Sequence, residues 1–339
     1  MTSVSSIIEK RSNNPKRLLG IMINSDKPAK WKKDIVDSVS AYNRWFTRFA
    51  PHTYITKRKE TMRKVQALFS DAGGLRTISP QLLKGHPEAT QILRMCTAPP
   101  IARDRLIGLS GTSRSLVNTM ESDLRLPSRM PVAKINGELE KIQVIFNKLL
   151  DPELLPWVKA KRKPSSDERT FFLLVVADRL CGAQSDPIIR NAQEERQLRS
   201  LANLLKSLGY KQVHSDSISS LAAMVPGTFT FQYLVRAELP SGKSVGIPID
   251  AVIQPRTTSK GSLPILIEAK SAGDFTNVNK RRKEEAAKHK QLVDKFGSKI
   301  RYLLLLSGYF DAGYLGYEAA EGIDWVWEHN IQELRQVVN

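Results

Sequence analysis

The sequence predicts an α/β protein, an α+β mixed sheet at the C-terminus preceded by a mostly helical N-terminal region, and three observations carry that prediction. Apolar residues recur at three-and-four spacing through the first half of the chain. The runs TFTFQYLVRAEL, VGIPIDAVIQP and LPILIEAKS read as strands, the last two pairing two-residue apolar alternation with single acids. The order helix, hairpin, strand, helix, strand is that of a mixed sheet.

In order, Trp31, Ile35, Val39, Tyr42, Trp45, Phe46 and Phe49 mark an amphipathic helix with an aromatic core face. A second helix is expected from Lys57 to Ser70, stopping at Gly73-Gly74, and Ser79-Pro80 opens a third running on to Met95. After Pro99-Pro100, Arg103, Arg105 and Arg114 lie in a Gly-containing loop; they suit contacts to bases or phosphates, or a structural ion pair with Asp104. Leu139, Ile142, Ile145, Phe146 and Leu149 give a helix over 136–148, and the charged connection KAKRKPSSDER at 159–169 is the expected hinge. The domains are therefore expected as a basic helical region, 1–163, and a sheet-containing region, 164–339.

Helices are expected over Asp167–Leu180 and Pro187–Leu208, the latter closed by Gly209. Two strands around Pro240-Ser241-Gly242-Lys243-Ser244 make a hairpin, and a third strand ends in Glu268-Ala269-Lys270. A helix over 277–296 carries Lys280, Arg281, Arg282 and Lys283 near its start, where cations oppose the helix dipole. That placement suits a phosphate partner, the alternative being an ordinary solvated face. Ile300–Leu306 and 323–328 are further strands, GYFDAGYLGYEAAEG reads as packing and turns, the alternative being the lining of a substrate channel, and Ile331–Val338 is a closing helix.

Composition narrows the classes. At 339 residues, 41% hydrophobic and 25% charged, the chain can bury a core, and a formal net charge of +18 favours a polyanionic partner, above all nucleic acid. The first 64 residues alone hold 15 Lys or Arg against 5 Asp or Glu. Two distant cysteines, Cys96 and Cys181, support neither a disulfide framework nor a zinc site. There is no apolar leader and no membrane-length apolar run, so a soluble cytoplasmic protein without a membrane partner is expected. HExxH, GxSxG and GxGxxG are absent; Ser241-Gly242-Lys243-Ser244 ends like a phosphate loop, but the leading glycine position is Ala237 and the segment joins two strands.

The densest chemistry lies between Val245 and Ser271. Glu268 and Lys270, two apart on a strand, point the same way, while Ile265, Ile267 and Ala269 point the other. In the preceding strand Ile247, Ile249, Ala251 and Ile253 are expected on one face and Asp250 on the other. If the strands pair, Asp250 and Glu268 flank one point. Two hard oxygen ligands there suit Mg²⁺, which keeps waters and adds phosphate oxygens. Among all acids of the chain, only Glu268 is followed two residues later by Lys.

Asp250 followed by Glu268-Ala269-Lys270 resembles the PD-(D/E)xK nuclease superfamily, although Ile249 stands where the family's proline precedes the first acid. The C-terminal stretches GDFTNVNKRRKEEAAKHKQL and GYFDAGYLGYEAAEGIDWVWEH resemble the XamI group of type II restriction endonucleases. The resemblance implies a restriction-endonuclease-like core, Mg²⁺-dependent cleavage of double-stranded DNA at a short site, and 5′-phosphate products. It further implies a prokaryotic restriction-modification setting, a homodimer on a palindrome and a cognate DNA methyltransferase. Asp250, Glu268 and the Ala269 carbonyl would hold the metal, with Lys270 orienting or deprotonating the attacking water or acting as a cationic stabiliser. Glu194 or Glu195 would supply a further helix-borne acid as in some superfamily members, and Gln291 is a weaker candidate. The alternatives are a repair or junction nuclease of the same superfamily and a non-catalytic DNA-binding protein.

Overall fold

The computed structural model describes residues 21–238, 244–259, 261–276 and 278–339. The chain separates into two compact units, residues up to Thr47 with Asn191–Asn339, and Arg48–Arg190. Both boundaries fall inside long helices rather than in the connection at 159–169.

The Arg48–Arg190 unit is helical. Its helices are the later part of α1 (Pro28–Asp71), α2 (Pro80–Gly85), α3 (Ala89–Met95), α4 (Arg103–Ser110), α5 (Arg114–Ser122), α6 (Val132–Leu149), α7 (Pro156–Ala160) and the earlier part of α8 (Ser166–Ser207). Leu68, Phe69, Leu93, Phe146, Trp157 and Phe172 share its core. Gly74, at φ 79°, donates to the Phe69 carbonyl at 2.7 Å, the left-handed exit that ends α1 where expected. Ser79 Oγ caps α2 by accepting from Leu82 N at 3.1 Å.

Three expectations are corrected here. The helix opened by Ser79 breaks around His86-Pro87 and restarts at Ala89. Arg103, Arg105 and Arg114 stand on two short helices, α4 and α5, divided by the left-handed Gly111, not in a loop. The helix ending near Phe49 and the one expected from Lys57 are one continuous helix with Pro51 inside it, and those expected over Asp167–Leu180 and Pro187–Leu208 are one with Pro187 inside it. An interior proline costs about 3 kcal/mol, so neighbouring contacts must offset it. Tyr54 OH donates to Asp178 at 3.0 Å, Thr61 Oγ1 to the Ala177 carbonyl at 3.1 Å, and Cys181 Sγ to the Tyr54 carbonyl at 3.4 Å. These bonds fix α1 beyond Pro51 against α8 before Pro187.

The other unit is built on a six-stranded sheet in sequence order: β1 (Lys211–Gln212), β2 (Thr228–Glu238), β3 (Ser244–Gln254), β4 (Ile265–Ala272), β5 (Arg301–Gly308) and β6 (Asp324–Trp327). β2, β3 and β4 are antiparallel neighbours, while β4, β5 and β6 are parallel. The parallel strands are joined by α9 (Val278–Phe296) and α10 (Ala312–Ala320), and a 3₁₀ segment with α11 (Arg335–Val338) closes the chain. β5 is buried from Tyr302 to Gly308, as expected of a strand covered on both faces. One face packs Leu266, Leu304 and Leu306 against Leu292 of α9 and Leu315 of α10; the other packs Ile267, Leu303 and Leu305 against Leu201, Leu204 and Leu205 of α8.

The stretch read as turns is therefore partly helical. Asp311 caps α10 by accepting from Tyr314 N at 2.7 Å, and burial of Tyr314 and Leu315 offsets the weak helix propensity of its glycines and tyrosines. The early chain belongs to the sheet unit as well: Asp324 accepts from the N–H groups of Ile23, Asn24 and Ser25 at 2.5, 3.0 and 2.9 Å. The turn around Ser241-Gly242-Lys243 and residues 1–20 lie outside the described residues. Among the described residues no helix is long and apolar enough to cross a membrane.

Candidate active site

The register of β3 on β4 pairs Ala251 with Ile267, Val252 with Leu266 and Ile253 with Ile265, and stops there. One step further, where Asp250 would face Glu268, the strands part. The Ala269 N–H, left without a strand partner, donates to Asp250 Oδ2 at 2.8 Å. β4 meanwhile stays paired to β5 through Ala272, so its end is held while its other edge opens. Both acids thus lie at the fork.

A backbone distortion lies at the same position as the fork. Gln232 lies between the β2 pairs Phe231–Ala251 and Tyr233–Ile249, opposite Asp250, and takes a left-handed φ of 53°. The hairpin turns over at this point: Ala251 and Ile253 pack on one layer of the core, Ile247 and Ile249 on the other. The expectation that these four residues share a face is therefore corrected, because simple alternation assumes an untwisted strand. Glu268 and Lys270 do share a face, and Lys270 Nζ lies 3.0 Å from Glu268 Oε1.

Burial of these charges moves their pKa values. Asp250 is pushed up to about 6, first by burial and then by the Glu268 charge, against the Ala269 N–H bond. For Lys270, burial acts to lower the pKa, but Glu268, Glu285 and Asp250 together outweigh it and raise the value. Glu285 and Glu318 form a second buried acidic pair on α9 and α10. Glu285 Oε2 accepts from Tyr314 OH at 2.5 Å; burial raises the pKa of both acids, that of Glu318 to about 9, with Glu285 the next cause.

From α8, two buried glutamines hold the end of β4. Gln197 Nε2 donates to the Lys270 and Leu305 carbonyls at 3.2 and 2.8 Å. Gln193 Oε1 accepts from Ser271 Oγ at 2.7 Å, and its amide donates to Tyr42 OH. On the same turn Glu194 accepts from Gln232 at 3.4 Å and lies near enough to raise the Asp250 pKa, whereas Glu195 is exposed. Of the two candidate helix acids the fold brings Glu194 towards the fork. Gln291 is exposed on α9.

Of the cations, Arg282 lies 3.6 Å over the Tyr317 ring and Lys283 is exposed. The side chains of Lys280 and Arg281 lie outside the described residues. Arg103, Arg105 and Arg114 belong to the Arg48–Arg190 unit, where Arg114 lies 3.9 Å from Asp104. The sequence reading missed Lys288, whose Nζ lies 2.7 Å from Glu268 Oε2 and donates to the Pro248 carbonyl at 2.8 Å. Its only signal was a shared helical face with Glu285 and Leu292, hidden in a run of charges.

The donor set fits a small divalent ion. Asp250 and Glu268 supply hard oxygens at one opening, and burial, followed by the Glu268 charge, raises the Asp250 pKa, a penalty on the carboxylate that a bound cation would relieve. Among the described residues no three His, Cys, Asp or Glu side chains converge on one point. Two carboxylates without a His or Cys beside them among the described residues are a donor set that suits Mg²⁺, which completes its shell with waters and phosphate oxygens, better than zinc.

The chain matches the family model described as XamI restriction endonuclease over residues 73–327. It is 50% identical over 316 residues to Type II restriction enzyme SalI of Streptomyces albus G, covering 92% of this chain and 98% of that protein. It is 24% identical over 210 residues to Type II restriction enzyme XamI of Xanthomonas campestris pv. amaranthicola, covering 61% of this chain and 68% of that one. No solved structure matches.

Proposed function

The chain belongs to the XamI family of type II restriction endonucleases, and from that premise we propose that the fork between β3 and β4 is where it hydrolyses a phosphodiester of double-stranded DNA. The supporting observation is the meeting of Asp250, Glu268 and Lys270 at a strand opening, with the Ala269 N–H bound by Asp250.

In this reading Asp250, Glu268 and the Ala269 carbonyl hold Mg²⁺. When bound, the ion lowers the pKa of water and offsets charge growing on the phosphoryl oxygens. Lys270, kept cationic by Glu268, Glu285 and Asp250, directs the attacking water and stabilises the anionic phosphorane-like charge as a fixed cation. Gln197 fixes the Lys270 backbone, so that the ammonium enters from one direction. Glu194 is the additional acid, acting on Asp250 from α8. The products carry 5′-phosphates. The helical region within 1–163 supplies recognition, with Arg103, Arg105, Arg114 and the α9 cations as DNA contacts, and 164–339 supplies cutting. A homodimer would match a palindromic target, since a two-fold site is met by a two-fold protein, and a cognate methyltransferase would protect the host's own sites.

The test is digestion of unmethylated plasmid with Mg²⁺. Discrete fragments are expected, with Asp250→Ala, Glu268→Ala and Lys270→Ala each losing at least about 10²–10³-fold in rate while binding DNA in Ca²⁺ nearly as before. Cleavage unchanged in all three would sink the assignment, and cutting that depended on junctions rather than sequence would favour a structure-specific nuclease.

A further inference from the structure

Lys288 does not appear in the reaction just described, yet it makes the closest ionic contact to Glu268. Its Nζ lies 2.7 Å from Oε2, and Lys270 Nζ lies 3.0 Å from Oε1, so each oxygen of the carboxylate faces an ammonium group. Lys288 also donates to the Pro248 carbonyl at 2.8 Å, bridging β3 and β4 across the fork. Its helix is anchored on either side by Glu285, bonded to Tyr314, and by fully buried Leu292. The contact is shielded, the side chains being only 18% and 7% exposed, which makes it stronger than a surface pair.

We propose that Lys288 is an internal counter-ion: it occupies Glu268 Oε2 in the metal-free protein and has to leave before a divalent ion can use that oxygen. The inference rests on the reading of Glu268 as a metal ligand. With Lys270 on one oxygen and Lys288 on the other, the Glu268 carboxylate offers a free cation no uncompensated oxygen. Lys270 is the ammonium that stays, since Glu285 and Asp250 also hold it. Among the described residues, the other group that Lys288 bonds is one neutral carbonyl. Once released, its ammonium is free to bind a DNA phosphate, so DNA and divalent ion favour each other's binding, a coupling that is reciprocal.

Calorimetric titration of Mn²⁺ into the full chain, without DNA, tests this. Lys288→Met, which keeps the aliphatic stem and removes the charge, is expected to tighten Mn²⁺ binding about tenfold. Lys288→Gln keeps neutral donors for both oxygens and should tighten it less; this variant decides the matter if the methionine protein does not fold. A merely structural role would not raise affinity. Glu268→Ala is the control and should abolish binding. Loss of binding in that control together with unchanged or weaker binding in both Lys288 variants overturns the counter-ion while leaving the metal site intact. Binding by Glu268→Ala as tight as wild type overturns the ligand assignment, and Lys288's role with it.

Discussion

Glu318 is a carboxylic acid with no exposed surface, and neither of its oxygens finds a hydrogen-bond donor among the described residues. Burial, and then the neighbouring Glu285, push its pKa from 4.5 up to about 9. Protonated, it can itself donate to Glu285, which is the arrangement a buried acid pair favours. The folded state therefore keeps a proton that the unfolded chain releases above its ordinary pKa. The associated stability is complete below about pH 4.5 and declines, at up to about 1.4 kcal/mol per pH unit, until the pH passes the folded value near 9. Urea unfolding of wild type and Glu318→Gln at pH 6 and pH 8.5 should show the wild type losing more stability over that interval. Parallel losses would mean that Glu318 is already ionised in the fold.

At the end of β5, close packing makes an equally definite demand. Gly308 has φ 94°, and a Cβ there would sit 2.1 Å from the Ala272 carbonyl oxygen and 3.0 Å from Tyr42 Cδ2. The Gly308 N–H donates to Ser38 Oγ at 2.8 Å, and Tyr309 N donates to that same Ala272 oxygen at 2.9 Å, so the backbone has little room to yield. Gly308→Ala should therefore destabilise by more than about 2 kcal/mol in chemical denaturation. Gly261→Ala, also at positive φ but with nothing nearby, should cost only about 1 kcal/mol. Equal costs would mean that backbone conformation, and not contact, decides. Neither demand could be read from sequence, because both arise between segments far apart in the chain. What could be read was local. A two-residue period put Glu268 and Lys270 on one face, and apolar runs marked β4 and β5. Lys288 escaped because its helix reads as a solvated row of charges. Asp324 escaped because its partners, Ile23 to Ser25, lie some 300 residues earlier. The continuity of α1 through Pro51 and of α8 through Pro187 was hidden for the opposite reason: a proline locally disfavours helix, and bonds between the two helices offset that cost. The Ser165–Glu168 reciprocal cap that starts α8, with bonds of 2.7 and 3.1 Å, was a legible start signal that pattern reading passed over.

Over the whole molecule, charge is the property that family membership makes consequential. The chain has 52 Lys and Arg against 34 Asp and Glu. Even if every acid neutralised one cation, as Glu121, Glu168 and Glu328 do through close ion pairs, a surplus of 18 would remain. Such a surplus repels itself in the free protein and is relieved by a polyanion, which sheds condensed counterions as phosphates are neutralised. DNA affinity should consequently fall steeply with salt. With about 6–10 phosphates contacted, a 10³–10⁵-fold loss is expected between 50 and 200 mM monovalent salt. The measurement is a binding isotherm for the Glu268→Ala protein, which cannot cut in the proposed mechanism, at several salt concentrations on target and scrambled duplexes. The logarithmic slope should be about −5 or steeper on both, because phosphate contacts carry no sequence information, with the target curve displaced to tighter binding by its base contacts. A slope shallower than about −3 on the scrambled duplex would mean that most of the surplus faces away from DNA, and that the basic first 64 residues serve some other purpose than holding the duplex.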